Sequence, residues 1–314
     1  AFGCGMILDE RETETSDQTA QCSRKFLRRM QMYYQVEKQD GYYRIGSPEN
    51  VFSYLFVGSK KAALIDTGYG FGDLKSVVRS ITDKPLIIIN THGHCDHTGG
   101  NAQFDEVCYI GEKDIEVCRE HSEASMRKDN AERAKNSMNY ESGETYNGLP
   151  DAFDMEAYCA RGTGTLQSIS EGACFELGGV TLKIYETPGH TKGGISVLYL
   201  EKNLLFIGDA TGMFVWLFAK ETTDLETYIA AVRKMYDLDA AYYIGSHNPN
   251  PIRREELLRY IRAAEEADYE KGEPFESFFG MEYEPRVCAL DGKTLREMFQ
   301  SDFASVVIGK DKRK

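Results

Sequence analysis

Along much of this chain, apolar residues gather in short strand-like runs separated by Gly, Pro, Asp and Ser, a texture that predicts many short strands. Residues 42–45, 52–57 and 62–65 are three such runs, parted by Asp40-Gly41, Ser47-Pro48 and Gly58-Ser59, and they predict an antiparallel meander. The period then changes: Leu74, Val77, Val78 and Ile81 recur at helical spacing behind Asp73, a suitable cap. That helix leads to Leu86-Ile87-Ile88-Ile89, an apolar run bounded by Pro85 and Asn90, as expected of a buried strand. A short strand at 107–110 and a polar helical stretch from 112 to about 136 come next.

Residues 120–165 have no strand period and carry Tyr140, Tyr146, Leu149, Phe153, Met155 and Tyr158 among Gly and acidic residues, which reads as an insertion. Strand texture resumes at 173–177 and 180–185, then in a hairpin at 195–200 and 204–207. Thr223 and Glu226 have the spacing of a capping box before a helix with Leu225, Tyr228, Ile229, Val232 and Met235 on one face. A strand at 241–245, an amphipathic helix from 252 to about 271, an aromatic stretch at 275–283, a turn at Asp291-Gly292 and a strand at 303–308 complete the chain. The two halves share one order of elements, so an α/β fold of two β-sheets packed face to face with helices outside is expected. Residues 1–32 read as an arm, 33–250 as the body, and 251–314 as a largely helical extension on the same domain.

Composition narrows the class. The chain has 314 residues, 41% of them apolar and 11% aromatic, enough for a large core. Its 37 basic and 50 acidic residues give a formal charge of −13, which opposes nonspecific attraction to nucleic acid or anionic membrane. No run approaches the roughly 18 apolar residues of a membrane span. The eight cysteines form no CxxC pair and read mostly as reduced thiols. A cytoplasmic location is the expectation, with export left open because the chain starts at Ala1.

The chemistry gathers at strand ends. Three of the six histidines lie in Thr91-His92-Gly93-His94-Cys95-Asp96-His97, directly after the run ending at Ile89. His92 and His94, two apart on extended backbone, can face one point, whereas Asp96 and His97 fall on the next turn and can face another. Four further strand-end turns carry Asp66, His190, Asp209 and His247. Neutral imidazoles and carboxylates are the ligands that borderline divalent ions prefer. His121 lies outside all five turns and is expected to be dispensable for turnover.

His-x-His-x-Asp-His followed by a single His, an Asp and a last His, each after a strand, resembles the signature of the metallo-β-lactamase fold hydrolases, and the likeness spans roughly residues 33–250. The resemblance implies a four-layer αβ/βα sandwich with a site on one edge. It implies that His92, His94 and His190 hold one metal, that Asp96, His97 and His247 hold a second, and that Asp209 bridges them. Asp66, in Ile65-Asp66-Thr67-Gly68, would orient a ligand histidine through its distal N–H. Two divalent ions, zinc first and manganese or iron as alternatives, would lower the pKa of a shared bridging water toward ~7 and polarise a substrate oxygen, with Asp96 and Asp209 as the catalytic carboxylates. Cys95, inside the motif, is expected beside the site and not as a ligand.

The reaction expected is hydrolysis of an ester, thioester or lactone of a small, partly apolar substrate, as in the glyoxalase II, lactonase and thioesterase-like members. A mononuclear iron persulfide dioxygenase and a phosphoesterase are the enzymatic alternatives. A degenerate scaffold without metal is the non-enzymatic one. His94 occupies the position where di-iron flavoprotein oxidases of this fold use Glu, which favours hydrolysis. The 120–165 insertion is expected to form a lid, and Tyr69, Tyr140, Trp216 and Phe218 to line the substrate pocket, the last two from the apolar run 213–218. Packing beneath the insertion and a contact within a homodimer are the other uses for that run.

Overall fold

The computed structural model describes residues 33–138, 144–277, 280–298 and 300–312, so the expected arm and Tyr140 lie outside the described residues. Strands β1 (Gln35–Lys38), β2 (Tyr43–Gly46), β3 (Phe52–Val57) and β4 (Ala62–Ile65) form the meander. Strands β5 (Leu86–Ile89) and β6 (Val107–Gly111) add to it in parallel. Within the insertion the chain makes the hairpin β7 (Ser137–Met138) and β8 (Thr145–Tyr146), then returns as β9 (Thr165–Ile169), parallel to β6, closing a seven-stranded sheet.

The second sheet takes β10 (Cys174–Glu176), β11 (Thr181–Glu186), β12 (Ile195–Tyr199) and β13 (Leu204–Gly208) in antiparallel order. After β14 (Phe214–Leu217) and the helix Leu225–Asp237, β15 (Tyr242–Gly245) joins β13 in parallel.

Period-two alternation sorts side chains into layers. In the first sheet Tyr54, Phe56, Ala63, Ile65 and Ile89 point inward to meet Leu182, Ile184, Val197 and Phe206 of the second. Their neighbours Leu55, Leu64 and Ile88 point outward onto Leu74, Val77 and Val78 of the helix Leu74–Ile81. On the far side Leu205 and Ile207 meet the helices Leu225–Asp237 and Arg254–Glu265 through Val232, Met235, Leu257 and Ile261. The expected four layers are present, each large buried aliphatic contributing about 1.5–3 kcal/mol.

Some expectations need correction. Among the described residues the extension after residue 250 is α-helical only over Arg254–Glu265; with short 3₁₀ turns between them, it then supplies β16 (Glu273–Pro274), β17 (Arg286–Ala289) and β18 (Ser305–Ile308). These form a third, four-stranded sheet with β14, in the order β14-β18-β17-β16. The polar helix expected from 112 to 136 is broken into Ile115–His121 and Ala124–Ala134. The cap of Leu225–Asp237 is Asp224, which accepts from Thr227 N at 2.7 Å, and not Thr223. A carboxylate one residue nearer the helix is the better acceptor for the exposed N–H groups.

The insertion packs on the body through Phe71, Ala131, Ala134, Leu149 and Tyr158. Arg127, 1% exposed, pins it: its guanidinium donates to the carbonyls of Ser122, Gly99 and Gly162 at 3.0–3.1 Å. Gly99 closes the histidine motif, so the insertion is fastened to the turn that carries the site.

Candidate metal centre

Asp66 follows β4, His92 follows β5 by two residues, His190 follows β11 by three, Asp209 follows β13 directly, and His247 follows β15 by one. Because β4 runs parallel to β5 and β13 parallel to β15, their carboxyl ends open on one edge, where α/β sheets bind ligands. His94 has extended backbone (φ −68°, ψ 153°), while Cys95–Thr98 is one helical turn, which gives the motif its two directions.

His92 Nε2 and His190 Nε2 lie 3.1 and 3.0 Å from His94 Nδ1, all three rings being buried. Around a second point, His247 Nε2 stands 3.1 Å from Asp209 Oδ2 and 3.3 Å from Asp96 Oδ2. His97 Nε2 stands 3.5 Å from each of those oxygens, is buried and has no hydrogen-bond partner. An orphaned imidazole nitrogen facing two carboxylates at that separation fits a divalent cation, since two atoms about 2.1 Å from one ion in tetrahedral array sit about 3.4 Å apart. Asp209 Oδ2 is also 3.9 Å from His190 Nε2, so this one carboxylate reaches both groups. The donor sets His92/His94/His190 and Asp96/His97/Asp209/His247 are thus able to bind metal.

The nitrogen that each buried histidine turns away from the centre is also engaged. His97 Nδ1 donates to Asp66 Oδ2 at 2.8 Å, and Asp66 accepts Thr91 N and Thr91 Oγ1 at 2.7 and 2.8 Å. Thr91 Oγ1 in turn lies 3.1 Å from His92 Nδ1, so one buried carboxylate orients two rings. Asp66 itself takes φ +57°, a left-handed turn that Asp tolerates better than most side chains. His190 Nδ1 donates to the carbonyl of Trp216 at 2.9 Å, and His94 Nε2 to Glu221 Oε1 at 3.1 Å. Gly208, at φ +54°, passes so close to Thr91 that a Cβ would sit 2.4 Å from its hydroxyl.

Sequence reasoning missed three supports. Asp114 is fully buried and accepts from Gly93 N, Gly193 N and Thr191 Oγ1 at 2.9, 2.7 and 2.6 Å, tying the His92–His94 loop to the His190 loop. Glu221 and the Trp216 carbonyl are the others. A lone carboxylate beside a helix start, or a main-chain carbonyl, leaves no pattern to find. His121, expected to stand apart, stacks on His94 with ring centroids 4.9 Å apart and accepts from Cys95 N at 3.3 Å.

The pocket residues separate. Tyr69 is half-buried and stacked on Phe71 at 5.1 Å. Phe218 is fully buried, packed with Val287 and Val307 of the third sheet. Trp216 is partly buried and packs against Phe275, 5.4 Å away; β14 pairs with β18, so the run 213–218 belongs largely to a sheet that sequence did not foresee.

Electrostatics divide the two donor sets. Burial, reinforced by the neighbouring histidines, holds His92 well below the usual histidine range and His190 down at about 4, leaving both neutral. Burial works against protonation of His97 and His247 too, but Asp96 and Asp209 override it: His97 rises well above its usual range and His247 to about 10. The same pairing overrides the burial penalty on Asp96 and Asp209 and holds both carboxyls well below the ordinary range. Burial pushes the Cys95 thiol up to about 12, so it remains a thiol.

Two adjacent donor sets able to bind metal, at the edge of a four-layer double-sheet sandwich, define a class of αβ/βα proteins. The chain belongs to the metallo-beta-lactamase superfamily, whose family model matches residues 46–247. It is 27% identical over 215 residues to the human acyl-coenzyme A thioesterase MBLAC2, covering 64% of this chain and 71% of that protein. It is 28% identical over 167 residues to the hydroxyacylglutathione hydrolase GloC of Haemophilus influenzae, covering 50% and 64%. The solved sec-alkylsulfatase Pisa1 from Pseudomonas sp. shares the fold, with a TM-score of 0.54 at 14% identity over 78% of this chain and 44% of its own. No helix among the described residues is long and apolar enough to cross a membrane.

Proposed function

We propose that this chain is a binuclear, zinc-dependent hydrolase of ester-type bonds, with a thioester of a small, partly apolar acyl group as its substrate. The observation that carries the reading is Asp209 Oδ2, within 3.1–3.9 Å of imidazole nitrogens from both donor sets. His92, His94 and His190 would hold one ion; Asp96, His97 and His247 the other; Asp209 would join them. Two such ions supply a water ionised near neutral pH and a Lewis acid for the acyl carbonyl.

The chain's own residues set the direction of approach. His92, His94, His97 and His190 are buried, whereas Asp96 and Asp209 are 17% and 20% exposed and His247 is 42% exposed. Substrate therefore enters on the His247 side, with Asp66, Glu221 and Trp216 O behind the rings, keeping their lone pairs aimed forward. Two of the similar proteins named above are an acyl-coenzyme A thioesterase and a hydroxyacylglutathione hydrolase, which supports a thioester over an oxygen ester or lactone.

The test is a hydrolysis panel on zinc-loaded protein: acyl-coenzyme A, acyl-glutathione and neutral-thiol esters of increasing acyl length, with matched oxygen esters and lactones. Thioesters should lead. Within that series kcat/KM should climb up to about fourfold per added methylene until the pocket fills, the value of about 0.8 kcal/mol per buried CH₂. Absence of thioester turnover in protein that holds both metals would reject the substrate class while sparing the metal centre; oxygen uptake on a persulfide by iron-loaded protein would favour the dioxygenase instead.

A further inference from the structure

Glu221 is 8% exposed and its side chain lies at the centre, in a turn that follows β14. Its oxygen Oε1 is 3.1 Å from His94 Nε2, the nitrogen opposite the one facing His92 and His190. Its main chain is fastened to the loop of another donor: Lys192 N donates to the Glu221 carbonyl at 2.8 Å, and Thr223 N donates to the Gly189 carbonyl at 2.9 Å. Glu221 thus spans the His94 and His190 loops, with its carboxylate on one and its backbone on the other.

An imidazole has one proton to place when neutral. If it sat on Nδ1, His94 would present N–H toward His92 and His190, and no lone pair would be available there. A carboxylate can only accept, so Glu221 draws the proton to Nε2 and leaves Nδ1 as the lone pair. We propose that Glu221 is a positioning residue that fixes the tautomer and ring direction of His94, and through them the affinity of the three-histidine set for its metal. This rests on the reading of His92, His94 and His190 as one ligand set.

Ring stacking supports the role. His121 covers one face of His94 at an interplanar angle of 22°, while its Nδ1 is occupied by the Cys95 N–H, so the His94 ring is restrained by stacking as well as by the hydrogen bond. Donor atoms of His94, His121 and Glu221 also lie within 4.8 Å of one another and could be taken for a third metal site. That use needs the His94 Nε2 lone pair, and His94 could then serve both sites only by losing its last ring proton. A hydrogen bond keeps the proton and leaves Nδ1 free, and is the cheaper arrangement at neutral pH.

The experiment uses Co²⁺ as the probe on the full chain stripped of metal, comparing wild type, Glu221→Ala, Glu221→Gln and His121→Ala. Affinities come from chelator competition, and the visible absorption of bound cobalt reports coordination geometry. Glu221→Ala should weaken one of the two cobalt sites by about 10–100-fold and alter its spectrum, leaving the other unchanged. Glu221→Gln, whose amide oxygen can still accept from Nε2, should keep the wild-type spectrum and lose less than about tenfold in affinity. Unaltered affinity and spectrum in both Glu221 variants would overturn the proposal. So would a third cobalt equivalent in wild type that disappears in His121→Ala, because Glu221 would then be a ligand. Wild type that binds no cobalt would reject the metal reading itself, and that outcome is distinct from a failure of Glu221 alone. Should Glu221→Ala not fold, Glu221→Gln decides: an altered spectrum there contradicts positioning through an accepted hydrogen bond.

Discussion

Asp209→Ala is expected to lower turnover by about 10³-fold or more, a loss of about 4 kcal/mol in the barrier, and to strip metal from both donor sets. The reason is geometric: Asp209 Oδ2 is the one carboxylate oxygen near His97, His190 and His247 together. Its removal also leaves His247 with Asp96 as its one carboxylate partner among the described residues, and His97 with Asp96 and Asp66, to offset their charge. His92→Ala should abolish turnover as well, but should spare the Asp96/His97/Asp209/His247 set. Elemental analysis of each variant beside its kcat separates the two cases. Retention of both metals at near wild-type rate in Asp209→Ala would contradict the bridging role.

Metal loading should stabilise the chain by about 4 kcal/mol when free zinc is a thousandfold above its dissociation constant, and this gain should depend on pH. Without metal, His97 and His247 are protonated in the fold at neutral pH, with His247 at about 10 and His97 well above its usual range. An unfolded histidine titrates near 6.5, so their contribution is fully present below about pH 6.5 and is lost as pH rises toward about 10. Asp96 and Asp209 act in the opposite sense: their depressed carboxyls contribute above the unfolded value of about 3.9 and lose that contribution as pH falls through the folded value. A cation entering this set must expel the two histidine protons, so its affinity should rise up to about a hundredfold per pH unit between pH 6 and 8. His92 and His190 are already neutral, and their set should release one proton at most, from His94, which Glu221 raises above the usual range against the effect of burial. Calorimetric titration in two buffers of different ionisation enthalpy counts the protons. Equal counts at the two sites would contradict the electrostatic division between them.

The donors were legible because each sits where a run of apolar residues stops. Leu86–Ile89 ends two residues short of a cluster of three histidines, and a buried strand end is a poor place for imidazoles without a task. The supporting shell was not legible. Asp114 and Glu221 lie next to lysines in polar stretches, Lys113 and Lys220, where a carboxylate reads as solvated surface until tertiary contacts show it buried. The third sheet was hidden for a different reason. Its strands β16, β17 and β18 are two to four residues long, and β18 reaches β14 across about 90 positions of sequence, so no local period marks them. The apolar run 213–218 read as a pocket rim because it follows Asp209; its residues 214–217 form β14, the ladder partner of β18, and the Trp216 carbonyl lies behind His190.

The most direct test of a binuclear hydrolase is a zinc titration of metal-free protein, with thioester hydrolysis followed at each addition. Activity should climb until two equivalents per chain are bound, with elemental analysis giving the same two, and a chelator should abolish it. A plateau at one equivalent, or hydrolysis that persists after the metal has been removed, would contradict it.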